Sequence, residues 1–130
     1  GVATDGAAGG VNQGAELARQ RADEARNGLA TLGTPTLLDL PDGQLANAPN
    51  AQNRIKDFIR DAAPDLVITH APEDYHPDHR ALAAYVREAT GFICPVLFCD
   101  TLMGVGFTPD YYIDITAHFA AKQKAITAER

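Results

Sequence analysis

Two of the chain's four histidines stand at an i, i+3 spacing in Tyr75-His76-Pro77-Asp78-His79, just after the apolar run Leu66-Val67-Ile68. Imidazole changes charge near neutral pH and is the commonest metal ligand. Two of them on one face of a first helical turn could therefore share a metal or a substrate. The same spacing fits two solvated loop histidines, and a bare H-x-x-H does not separate these readings. Asp78 is open in the same way. A carboxylate within reach of His76 would favour and orient its imidazolium, whereas an aspartate in a first turn also complements the helix dipole. Pro77 suits the first helical position, where its missing N–H leaves nothing unpaired.

The elements that must position this pair follow from periodicity. Asp65-Leu66-Val67-Ile68-Thr69 is a near-continuous apolar run of the kind found in a central parallel strand, and its carboxyl end delivers His70 and the pair. Upstream, Val2-Ala3-Thr4 reads as the end of a strand, and Asp5 to Gly10 as a glycine-rich turn. Ala15, Ala18, Ala22, Ala25, Leu29 and Leu32 form one stripe of an amphipathic helix, with Gly33 as its C′ residue. Thr36 to Leu40 predicts a strand ending in the Pro41-Asp42-Gly43 turn. Asn47 to Asn53 reads as a surface loop. Ile55, Phe58, Ile59 and Ala62 predict a helix stopped before Pro64, and Leu82, Val86 and Ala89 another. Val96 to Cys99 and Tyr111 to Ile115 predict two more strands, before a closing helix from about Thr116. Strands and helices alternate throughout, which predicts parallel strands joined by crossovers in a Rossmann-like layered sheet.

The bulk properties narrow the chemistry. The 130 residues are 45% hydrophobic and 22% charged, enough for one globular domain with a core. Seventeen acidic against eleven basic residues give a net charge of -6, without the basic excess that draws a phosphate backbone. Nucleic acid is not an expected partner. No apolar stretch approaches the roughly 20 residues of a membrane span, and the first residues lack the pattern of a signal peptide, so the expected compartment is the cytoplasm. Cys94 and Cys99 have no zinc-ribbon spacing and read as reduced core thiols.

Val67 to Arg80, V-I-T-H-A-P-E-D-Y-H-P-D-H-R, resembles the second signature of the LmbE/PIG-L family of metal-dependent N-deacetylases. There a strand ending in Thr-His leads through a short loop into His-Pro-Asp-His-Arg. Arg21-x-x-Glu24 followed by Leu32-Gly33 is similar to the family's R-x-x-E…L-G helix, and Thr4-Asp5-Gly6…Gly9 to its T-x-G-x-x-G loop. Asp42 stands where the family carries an acidic residue near the sugar. Ile113-Asp114-Ile115-Thr116 with Lys122-x-x-Ala125 is similar to its D-I-T…K-x-x-A stretch. The first signature, A-H-P-D-D-E, is absent. In the family it closes the first strand and supplies a metal-binding histidine, a metal-binding aspartate and the general-base aspartate. The expectation is one LmbE/PIG-L-like domain over residues 1–130, truncated at its N-terminus and also at its C-terminus.

The resemblance implies an α/β, Rossmann-like three-layer fold with a mostly parallel sheet that lacks its first strand. It implies a hydrolase that uses zinc or another divalent metal to remove acetyl from an N-acetylated amino sugar or its conjugate, the fragment alone being inactive. His79 would be a metal ligand, and His76, assisted by Asp78, would face the substrate carbonyl. Arg21 and Asp42 would recognise the sugar, one as a forked donor and the other as an acceptor from hydroxyls. On the residues alone, Arg21 also pairs with Glu24 or Asp23 on its own helix, and Asp42 fits its turn for local reasons. Glu73 and Asp74 read as solvated loop charges, His70 as structural or supporting, and His118 as surface. Two rivals remain: a non-catalytic sugar-binding relative, and a nucleotide-binding domain using Gly6 to Gly10. The second is weaker, because that loop lacks the G-x-G-x-x-G spacing.

Overall fold

The computed structural model describes residues 1–101 and 104–127. In chain order the elements are β1 (Val2–Thr4), α1 (Ala15–Gly28), β2 (Leu37–Leu40), α2 (Ala51–Ala62), β3 (Val67–His70), α3 (Pro77–Thr90), β4 (Val96–Cys99) and α4 (Phe119–Thr127). Short 3-10 turns occupy Leu45–Asn47 and Thr116–His118. The chain forms two compact units, one of Gly1–Asp42 with the segment from Asp110 onward, the other of Gly43–Pro109. Each contains one parallel strand pair bridged by a helix, β1-α1-β2 and β3-α3-β4. The α/β alternation expected from the sequence is what forms.

In the first unit Val2 lies opposite Leu37 and Thr4 opposite Leu40, so β2 takes three steps where β1 takes two. Asp39 absorbs the extra residue at φ 44°, a left-handed value uncommon outside glycine and suited to a bulge. In the loop after β1, Gly6 has φ 68°, and a Cβ there would stand 2.9 Å from Cγ of Arg21. The arginine stem thus lies directly over the glycine.

Three sequence expectations fail in detail. Helix α1 stops at Gly28, with Leu29 as its cap, not at Gly33. A glycine with little helix propensity ends it, and the Leu32 and Gly33 amides then donate to the Leu29 carbonyl in a separate turn. Tyr111 to Ile115 form no strand and stay exposed. Apolar, β-branched residues favour a strand only where a neighbour completes the ladder, and here Asp114 instead accepts from the amide and hydroxyl of Thr116 to start the 3-10 turn. The segment Asn47 to Asn53 is not a loop throughout, because α2 begins at Ala51. Its polar Gln52 and Asn53 face solvent while Ala51 is buried.

The second unit holds most of the core. Ala51, Ile55 and Ile59 recur every four residues on α2 and are buried with Ala83, Val86 and Ala89 of α3 and with Leu45, as an amphipathic stripe requires. Helix α2 ends at Ala62 and is capped by Ala63, which adopts φ 42° ahead of Pro64. Helix α3 begins on Pro77 and is closed by Gly91 at φ 46°. Strand β3 runs parallel to β4 with Val67 opposite Val96 and His70 opposite Cys99. One face of this pair is bare: Ile68 is 61% exposed beside Leu97. Cys99 shares that exposed alternation, so it is a free surface thiol, not a core one, while Cys94 is half-buried and also free. Among the described residues, no helix is long and apolar enough to cross a membrane.

Candidate metal-binding and catalytic centre

Strand β3 ends on His70, and the chain then loops through Ala71-Pro72-Glu73-Asp74-Tyr75 to enter α3 at His76. This loop brings His70, Asp74 and His79 together, with one ligand atom from each lying within 4.8 Å of the others. The rings of His70 and His79 stack at 3.8 Å with an interplanar angle of 4°. Nδ1 of His79 lies 3.0 Å from Oδ2 of Asp74. Two imidazoles and a carboxylate are donors that zinc accepts, and a ligating histidine commonly gives its other ring nitrogen to a carboxylate. By donor chemistry the two imidazoles fit a divalent ion, and the carboxylate at Nδ1 of His79 fits the supporting place behind such a ligand.

Asp74 was expected to be a solvated loop charge, and the structure corrects this. It is 4% exposed. Its other oxygen, Oδ1, accepts from the His76 amide at 2.9 Å. Burial pushes its carboxyl up, but the His76 amide, the His79 hydrogen bond and the nearby His79 and His70 rings outweigh that and leave it below the usual carboxylate range. Burial, reinforced by the charge of His79, pushes the His70 imidazole down, with Asp74 opposing and His76 adding slightly. The sequence signal for Asp74 was its place two residues before His76, as a side chain able to cap the turn.

His76 is the N-cap residue of α3, and its Nδ1 accepts a hydrogen bond from the Asp78 amide at 3.2 Å. A backbone N–H can only donate, so Nδ1 carries the lone pair and the ring proton sits on Nε2. Asp78 touches His76 through this amide. Its carboxylate turns the other way, accepting from the amides of Gly43 at 2.6 Å and Leu45 at 3.0 Å, and the residue is 5% exposed. The expected carboxylate-to-imidazolium contact is therefore replaced by a backbone one. The carboxylate instead ties the start of α3 to the segment ahead of α2.

Arg21 and Asp42 belong to the other unit. Nη1 of Arg21 pairs with Oε2 of Glu24 at 2.6 Å, the arginine side chain being 39% exposed and the glutamate 8%. Both line a cleft of about 220 Å³ with Thr4, Gly6 and Asp39. Asp42 does not line it. Its Oδ2 accepts from the Ala8 amide at 3.1 Å, while Asp5 accepts from the amides of Ala7 and Asp42. The carboxylates of Asp5 and Asp42 thus hold the glycine-rich loop closed. Hydrogen bonds from Gln20 and Arg21 keep the Glu24 carboxyl below its ordinary value against desolvation. His118 is exposed, as expected.

Comparison with known proteins gives a consistent neighbourhood. The family model described as PIG-L: GlcNAc-PI de-N-acetylase matches residues 2–90. No curated protein matches. Among solved structures, a conserved protein from Thermus thermophilus superposes with a TM-score of 0.74 at 23% identity, over 92% of this chain and 60% of its own. The N,N'-diacetylchitobiose deacetylase from Pyrococcus horikoshii superposes with a TM-score of 0.72 at 26% identity, over 98% of this chain and 56% of its own. The chain thus spans less than two thirds of either structure. The first likeness shows the fold; the second adds a deacetylase with the same architecture.

Proposed function

This chain belongs to the PIG-L (GlcNAc-PI de-N-acetylase) family, and from that premise we propose that its full-length protein is a zinc-dependent hydrolase removing acetyl from an N-acetylated amino sugar or its conjugate. The observation that carries this reading is the H-x-x-H pair itself. Its two rings stand side by side at the start of α3, one presenting a proton at Nε2 and the other a nitrogen free to bind metal. A divalent ion held with His79 as one ligand supplies Lewis-acid chemistry to the amide carbonyl. His76 does the rest of this chain's share. Its Nε2–H donates a hydrogen bond to the carbonyl oxygen as negative charge develops there. Arg21 and Asp42 are assigned to the sugar, the first through its half-exposed guanidinium and the second through a carboxylate at the loop rim.

The test is acetate release. The full-length protein is incubated with zinc and N,N'-diacetylchitobiose or N-acetylglucosamine conjugates, and free acetate and amine are followed by NMR. Release that disappears with a chelator and returns with zinc is the expected result. Binding without release would mark a sugar-binding relative, and neither binding nor release would overturn the reading. Fractionation of cells checks the cytoplasmic location that the sequence predicts.

A further inference from the structure

We propose that Asp74 is the positioning residue of this site: its buried carboxylate locks His79 in the Nδ1–H tautomer, so that Nε2 is presented as a lone pair, and the same carboxylate fixes the backbone of His76. The inference rests on the reading of His79 as a metal ligand only for its functional consequence; the tautomer follows from the geometry alone.

Asp74 is held on every side. Its amide donates to the Ala71 carbonyl at 3.1 Å, and its carbonyl accepts from Nη1 of Arg80 at 2.8 Å. Oδ1 takes the His76 amide and Oδ2 faces Nδ1 of His79. An ionised carboxylate only accepts. A bare Nδ1 at 3.0 Å would set two lone pairs against each other, so the ring nitrogen there must carry the proton. His70 does not compete for this bond. Its Nδ1 is 4.0 Å from the same oxygen, beyond hydrogen-bond length, although its ring lies flat against His79. Both carboxylate oxygens are thereby occupied, and Asp74 acts through His79, as the outer partner of a ligating histidine does.

Asp74→Asn separates this from a merely structural role. The asparagine oxygen can still accept from the His76 amide, while its NH2 group would face Nδ1 of His79 and force the ring proton to Nε2. The measurement is the ring ¹⁵N spectrum of His79 in the metal-free full-length protein, about two pH units above the ordinary imidazole value of ~6.5. The expected result is a protonated Nδ1 in the wild type, a protonated Nε2 in Asp74→Asn, and a zinc affinity roughly 10- to 100-fold weaker in the variant by calorimetry. A wild-type His79 protonated at Nε2 overturns the proposal even if the variant does not fold. So does a folded variant with unchanged tautomer and unchanged zinc affinity. If the wild type shows the expected tautomer but binds no zinc, the metal-dependent reading fails and the Asp74 assignment stands.

Discussion

The rings of His76 and His79 lie 4.6 Å apart, centroid to centroid, tilted by 34°, and they are wired with opposite polarity. Nδ1 of His76 accepts from a backbone amide, whereas Nδ1 of His79 meets a buried carboxylate. Two identical side chains one helical turn apart thereby become a proton donor and a lone-pair donor. The division of labour is set by what each Nδ1 touches, not by the imidazoles themselves.

Replacing His76 by alanine in the full-length protein should lower kcat by about 10²- to 10³-fold, the usual range for loss of one donor to a developing oxyanion. Zinc affinity should be unchanged. Steady-state kinetics alongside zinc calorimetry check this, and undiminished turnover with metal bound would remove His76 from the reaction.

Asp78→Ala should reveal itself in stability. It strips the acceptor from the amides of Gly43 and Leu45, the second of them buried, and should destabilise the fold by about 2–4 kcal/mol, since each bond to a charged acceptor contributes ~1.5–3. Urea denaturation measures it. A loss below ~1 kcal/mol would mean that water takes over both amides.

Gly6→Ala tests the closeness of loop and helix in the first unit. The new Cβ would press on Cγ and Cβ of Arg21 at 2.9 and 3.1 Å, and the residue would keep φ 68°. Atoms so near the Arg21 backbone cannot swing aside, and a loss of about 1–3 kcal/mol is expected in thermal melts. An unchanged melting temperature would contradict the packing described.

The Glu24 carboxyl supplies a pH signature. Its folded pKa lies below the ordinary value of 4.5, so the unfolded chain takes up a proton first as the solution is acidified. The stability it contributes is complete above the unfolded value and is lost as pH falls through the folded one. Urea midpoints across the acid range should fall more steeply for the wild type than for Glu24→Gln. Parallel curves would show that Gln20 and Arg21 do not hold this carboxylate.

The sequence made legible what depends on periodicity and short motifs. The βαβ order, the pairing of β3 with α3 and the N-cap place of His76 beside Pro77 follow from local pattern. It left open or misread features that particular hydrogen-bond partners decide. Asp78 stays open between a partner of His76 and a first-turn charge because Gly43 and Leu45, more than thirty residues earlier, leave no trace near it. Asp74 reads as a loop charge because the stretch around it is polar, although its partners lie only two and five residues away. Tyr111 to Ile115 failed for the reverse reason, a strand-like composition with no strand beside it among the described residues.

Apart from the ties through Asp78, the hydrogen bonds that shape the turn from His70 to Arg80 join residues two to six apart in the chain. Closing such short loops demands little chain entropy and depends on few distant contacts. The turn behaves as a cassette: its internal order is encoded within itself. Insertions on either side should be tolerated, whereas one extra residue between Asp74 and His76 would break both histidine contacts at once.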